Sequence, residues 1–107
     1  MNAWKELTEK LKEINKTIDD IDYFGIVYRP SYTRIIRDIE ELKEIDYDDS
    51  DDARYIYGFI MFKDRTWLER HEYNYMEWWA YKKLISKDFV YKEGEDVGKY
   101  LVKLRRI

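Results

Sequence analysis

Glu69 and His71 stand two residues apart in a stretch that alternates as a strand, so their side chains share a face and could act as an acid/base pair. No Ser or Cys nucleophile motif, Gly-rich phosphate loop or metal-ligand spacing accompanies them. His71 is the single histidine, which leaves no imidazole pair for a metal. Zero cysteines remove disulfides, thiolate catalysis and every Cys-based zinc or iron–sulfur site. The ordinary role for His71 is surface or cross-strand packing. The chain therefore reads as a non-enzyme with no cofactor and no metal.

The second concentration of chemistry is acidic. From Asp38 to Asp52 there are nine carboxylates against one base, Lys43. An EF-hand register starting at Asp46 fits at Asp46 and Asp48, then fails where glycine should be (Asp51) and where the bidentate glutamate should be (Tyr57). A solvated acidic loop is the plain reading. The functional one is imitation of nucleic-acid phosphates, because proteins that grip nucleic acids present rows of Lys and Arg. Glu40, Glu41, Glu44, Asp46, Asp48, Asp49, Asp51 and Asp52 are then the partner-binding residues, gaining counterion release and electrostatic steering.

A third group is aromatic and basic. Trp78 and Trp79 lie near Lys82 and Lys83, and Lys103, Arg105 and Arg106 close the chain. Exposed aromatics flanked by cations can stack bases, so these seven residues form the alternative, nucleic-acid-binding site. Against it stand a net charge of −3 and the lack of an RNP-like motif. A packed aromatic core explains the same residues more simply.

These groups need a scaffold, and 107 residues suffice for one domain spanning 1–107. With 45% hydrophobic and 18% aromatic residues the chain can bury a core despite 40% charge. No apolar run approaches the roughly 18–20 residues needed to cross a bilayer, and the N-terminus shows no signal-peptide core. The expectation is a cytoplasmic protein with no membrane contact.

Trp4, Leu7, Leu11, Ile14, Ile18 and Ile21 recur at spacings of 3 and 4, which predicts a helix over about 3–21. That stripe covers a sheet or, alternatively, forms a dimer seam. Residues 23–29 predict a strand ended by Pro30, and Ser31 can cap a second helix over about 31–45, with Tyr32, Ile35, Ile36, Ile39 and Leu42 inward.

Strands follow at about 55–63, 66–73 and 76–83, the first apolar on both faces as if covered on both sides. Two-residue turns at Asp64-Arg65 and Asn74-Tyr75 would pair Phe62 with Trp67, Arg70 with Trp79 and His71 with Trp78. Arg65 and Tyr75 suit such turns poorly, so either they carry strain or the loops are longer. In that register Ile56, Ile60 and Phe62 share a face with Trp67, Met76 and Trp78. The stretch 99–105 fits either a short helix or a strand and is read as strand. The fold class is α+β, an antiparallel sheet packed by two helices.

The segment Phe62–Lys83 resembles a pattern found in small phage and mobile-element proteins, K-D-G-T-W-L-E-R, then E-Y-D-G, then E-W-W. Lys63, Asp64, Thr66, Trp67, Leu68, Glu69 and Arg70 match it, as do Glu72, Tyr73, Glu77, Trp78 and Trp79. Arg65 and Tyr75 replace its two hairpin glycines. Small, acidic, aromatic-rich phage proteins of this kind resemble anti-CRISPR proteins. The resemblance implies an inhibitor of a host nucleic-acid-targeting defence complex, with a host defence protein or ribonucleoprotein as partner. It transfers no functional residues. The alternatives are a nucleic-acid-binding accessory protein and a dimeric structural protein of a mobile element; the chain itself is a monomer or homodimer.

Overall fold

The computed structural model of the chain describes residues 1–48, 54–74 and 76–84. The expected strand at 99–105 and the residues Asp49, Asp51, Asp52, Lys103, Arg105 and Arg106 lie outside them. The fold is α+β. Helix α1 (Ala3–Glu13) precedes β1 (Ile21–Tyr28), β2 (Arg34–Ile36), β3 (Ile56–Phe62), β4 (Trp67–Tyr73) and β5 (Met76–Lys82). All neighbours pair antiparallel, in the order β2-β1-β3-β4-β5. No helix among the described residues is long and apolar enough to cross a membrane.

α1 starts where the Asn2 side chain accepts the Lys5 N–H at 3.0 Å. It stops eight residues short of the expected end. Asn15 takes φ 58°, and the amides of Asn15 and Lys16 bond back to the carbonyls of Lys12 and Leu11 at 3.1 and 2.8 Å. This is a Schellman termination, with asparagine in the position that favours glycine or asparagine. Ile18 enters a one-turn 3-10 helix (Ile18–Asp20) and Ile21 opens β1, so the 3–4 repeat runs past the element that it marks.

The expected helix over 31–45 is corrected more deeply. Its first part is the strand β2 and its second a 3-10 helix (Ile39–Glu44). Thr33, Ile35 and Ile36 are β-branched and favour extended backbone. Tyr32 and Ile35, assigned to a buried side, are exposed, whereas Ile36 and Leu42 are buried.

The meander stands where expected, and its second hairpin has the expected register, Arg70 opposite Trp79 and His71 opposite Trp78. The first hairpin does not. A four-residue connection, with Arg65 at φ 71° and Phe62 N–H bonded to Thr66 O, places Met61 rather than Phe62 opposite Trp67. Side chains alternate along a strand, so this shift exchanges the faces of β4 and β5 relative to β3. Ile60 and Phe62 share the buried side with Leu68 and Trp79, while Trp67, Met76 and Trp78 lie on the other.

Leu7 and Leu11 of α1, Leu42 of the 3-10 helix, and Ile26, Ile36, Ile60, Phe62 and Leu68 of the sheet form one buried cluster. β3 is central yet covered on one face only among the described residues, since Phe59 is exposed on the other. Gly58 has φ +134°, and a Cβ there would sit 1.9 Å from the Gly25 carbonyl oxygen, so β1 and β3 meet as closely as they do only over glycine.

Candidate functional site

The acidic band starts at a capping box. Asp38 Oδ1 accepts the Glu40 N–H at 3.0 Å, and Glu41 Oε2 accepts the N–H groups of Arg37 and Asp38 at 2.7 and 2.8 Å. Arg34 reaches across from β2, its Nη2 lying 2.8 Å from Glu41 Oε1 and 3.2 Å from Glu44 Oε2. The Arg34 guanidinium, together with the two amides, holds the Glu41 carboxyl down at about 2. Lys43 pairs with Glu40 at 3.1 Å and also lies over the Trp4 ring. Asp46 accepts a hydrogen bond from Asn2 Nδ2 at 2.9 Å, across an isolated bridge that ties the N-terminus to this segment. Asp48 is exposed.

Of the expected partner-binding residues, the structure brings Glu40, Glu41 and Glu44 together on one short helix, with Asp46 and Asp48 directly after it. Glu40, Glu41 and Glu44 are each engaged by the chain's own cations. Beside them Ile18, Ile21, Phe24, Ile36 and Ile39 floor a shallow groove of about 390 Å³, with Asp22 and Arg37 also lining it.

The alternative site divides. Trp78 is on the open face of the sheet at 40% exposure, but Trp79 is 3% exposed and lies in the core under the Arg70 guanidinium, 5.1 Å from ring centre to Cζ. A buried ring cannot stack a base, so Trp79 is withdrawn from that set. Lys82 and Lys83 are exposed at the end of β5.

Arg70 was not anticipated. Its side chain is fully enclosed and donates to Glu77 Oε1 at 2.8 Å, Glu6 Oε2 at 2.9 Å and the Tyr47 hydroxyl at 2.8 Å. Glu77 in turn accepts the backbone N–H groups of Tyr55 and Ile56 at 2.8 and 3.0 Å. The network joins α1, the Tyr47 segment, β4, β5 and the start of β3. A sequence signal existed: once Trp79 is inward, its cross-strand partner Arg70 must be inward too, and Glu77 is the nearest counter-ion on that face.

On the open face, Glu69 is gripped from both sides. Trp67 Nε1–H donates to Oε1 at 2.9 Å, and His71 Nε2 lies 2.8 Å from Oε2. The His71 contact first, then the Trp67 bond, lowers the Glu69 carboxyl below its ordinary value. Glu69 and His71 thus do meet, next to Trp78, whose ring centre is 6.0 Å from the imidazole. Among the described residues no group of three His, Asp or Glu side chains converges as a metal site.

Comparison with known proteins finds no match, whether to family models, to curated proteins or to solved structures.

Proposed function

We propose that this protein is an inhibitor of the host-defence type, which binds the basic nucleic-acid channel of a defence complex through the Glu40–Asp48 surface. The observation that supports the reading is how Arg34 is used. One guanidinium serves two carboxylates, so it positions Glu41 and Glu44 without cancelling the local charge. From Arg34 to Asp48 six acids face three bases. Carboxylates already fixed by caps and ion pairs lose less conformational freedom on docking than free ones, and an excess of negative charge steers encounter with a basic cleft.

The test is inhibition of target-DNA binding by purified CRISPR effector complexes. The intact protein should act stoichiometrically, and Glu40→Gln, Glu44→Gln, Asp46→Asn and Asp48→Asn together should weaken inhibition roughly tenfold. Unchanged potency in a folded quadruple variant would remove the acidic surface from the account.

The nucleic-acid-binding alternative has Trp78 and Phe59 as exposed rings, but Glu69 sits among them, and a carboxylate repels phosphate. The dimer-seam alternative loses most of its surface, because Leu7 and Leu11 are buried in the chain's own core.

A further inference from the structure

The open face of the sheet is a different surface from the acidic band, and its character is aromatic with one anion inside it. Phe59 stands opposite Glu69 on β3 and meets Tyr23 edge to face at 5.9 Å. Trp67 and His71 flank Glu69 along β4, and Trp78 lies opposite His71 on β5. Phe59, Glu69 and Trp78 are each about two-fifths exposed. Aromatic residues on a sheet face suggest base stacking, but the carboxylate reverses the preference: a phosphate would be repelled and a cation attracted.

We propose that Glu69, framed by Trp67, Phe59, His71 and Trp78, is a docking site for an arginine side chain presented by a partner protein. The Trp67 and His71 bonds fix the carboxylate's orientation and use one acceptor position on each oxygen. An ionised carboxylate has about four such positions, so each oxygen can still accept from solvent or a ligand. Arginine fits this better than lysine. Its planar fork can reach both oxygens, and its flat, weakly hydrated guanidinium stacks on neighbouring rings. Among the described residues the charged groups facing Glu69 are His71 on its own strand and Lys82, which stands opposite Trp67 on β5. Among the described residues His71 makes the ion-pair contact of Glu69, and Lys82 adds positive charge nearby without joining that contact.

The proposal is independent of the acidic band, and one titration separates them. Isotope-labelled full-length protein is titrated with a blocked tetra-arginine peptide and with its tetra-lysine counterpart, following backbone amides and the Trp67 indole N–H by NMR. The indole resonance should move and saturate, with arginine binding at least about threefold tighter than lysine. Glu69→Gln should abolish the indole shift while the spectrum stays dispersed, Phe59→Leu should reduce it, and Glu72→Gln on the same strand should leave it intact. An indole that does not move, that moves equally in Glu69→Gln, or that responds equally to lysine would overturn the arginine site. Shifts confined to the Glu40–Asp48 amides would overturn it too, and would leave the acidic-surface reading standing.

Discussion

Arg70 shows how one residue sets the character of this core. It is charged, 5% exposed, and shared by two carboxylates, a phenol and a tryptophan ring. Removing one partner of such a pair strands the other, at a cost of about 3–5 kcal/mol. Arg70→Leu should therefore destabilise by that amount in urea unfolding. Arg70→Met with Glu77→Leu should recover part of the loss but not all. The Tyr55 and Ile56 amides lose their acceptor with Glu77, and an unsatisfied buried N–H costs about 1–3 kcal/mol. A double variant as stable as the parent would mean that the network contributes packing alone.

Also at this scale, Glu41 and Asp64 are both held down at about 2, Glu41 first by Arg34 and Asp64 first by its Lys16 hydrogen bond. A carboxyl more acidic in the folded chain than in the unfolded one stabilises fully above the unfolded value. That contribution drains as pH falls through the ordinary carboxylate range toward 2. Stability should thus decline from about pH 4.5 to 2. In Glu41→Gln/Asp64→Asn the decline should be shallower, measured by urea midpoints across that window. Parallel acid limbs for parent and variant would contradict the assignment.

At the scale of elements, the turn after α1 separates the apolar pattern from the element that it marks. The apolar 3–4 repeat from Trp4 to Ile21 describes burial correctly, since Ile14, Ile18 and Ile21 do pack against the core. Periodicity, however, reports which face is buried and not where the hydrogen-bond ladder ends. The end is written in Asn15 and in the Thr17–Asp20 capping box that follows it. Asn15→Ala should cost about 1 kcal/mol, because alanine lacks the short polar side chain that lets asparagine tolerate the left-handed conformation, while Asn15→Gly should be neutral or slightly stabilising. Equal stability of the two variants in thermal unfolding would remove the Schellman turn as the helix stop.

The same distinction explains β2, where Ile35 and Ile36 are adjacent, so a helix and a strand are both consistent with them until pairing with Val27 and Ile26 decides. In the meander, strand identity was legible from aromatic and β-branched content. The face exchange was not, because it depends on a four-residue loop in which Arg65 accepts a positive φ. The Glu69–His71 contact was legible from two-residue spacing. The Arg70–Glu77 pair needed the register first.

At the scale of the whole molecule, charge and aromatic surface are segregated. The 3-10 helix and its flanks carry fixed carboxylates at the β2 side, and the sheet face left open among the described residues carries Tyr23, Phe59, Met76 and Trp78. Between them lies a core whose buried side-chain polar atoms are all partnered among the described residues. Two such surfaces on one sheet scaffold are suited to recognition by shape and charge.

If the Glu40–Asp48 surface engages a basic channel, as we propose, the salt dependence of binding shows it most directly. The affinity of the intact protein for a CRISPR effector complex should fall steeply as ionic strength rises. In the variant lacking Glu40, Glu44, Asp46 and Asp48 carboxylates, affinity should be lower and its salt slope shallower. A slope identical in parent and folded variant would contradict the account.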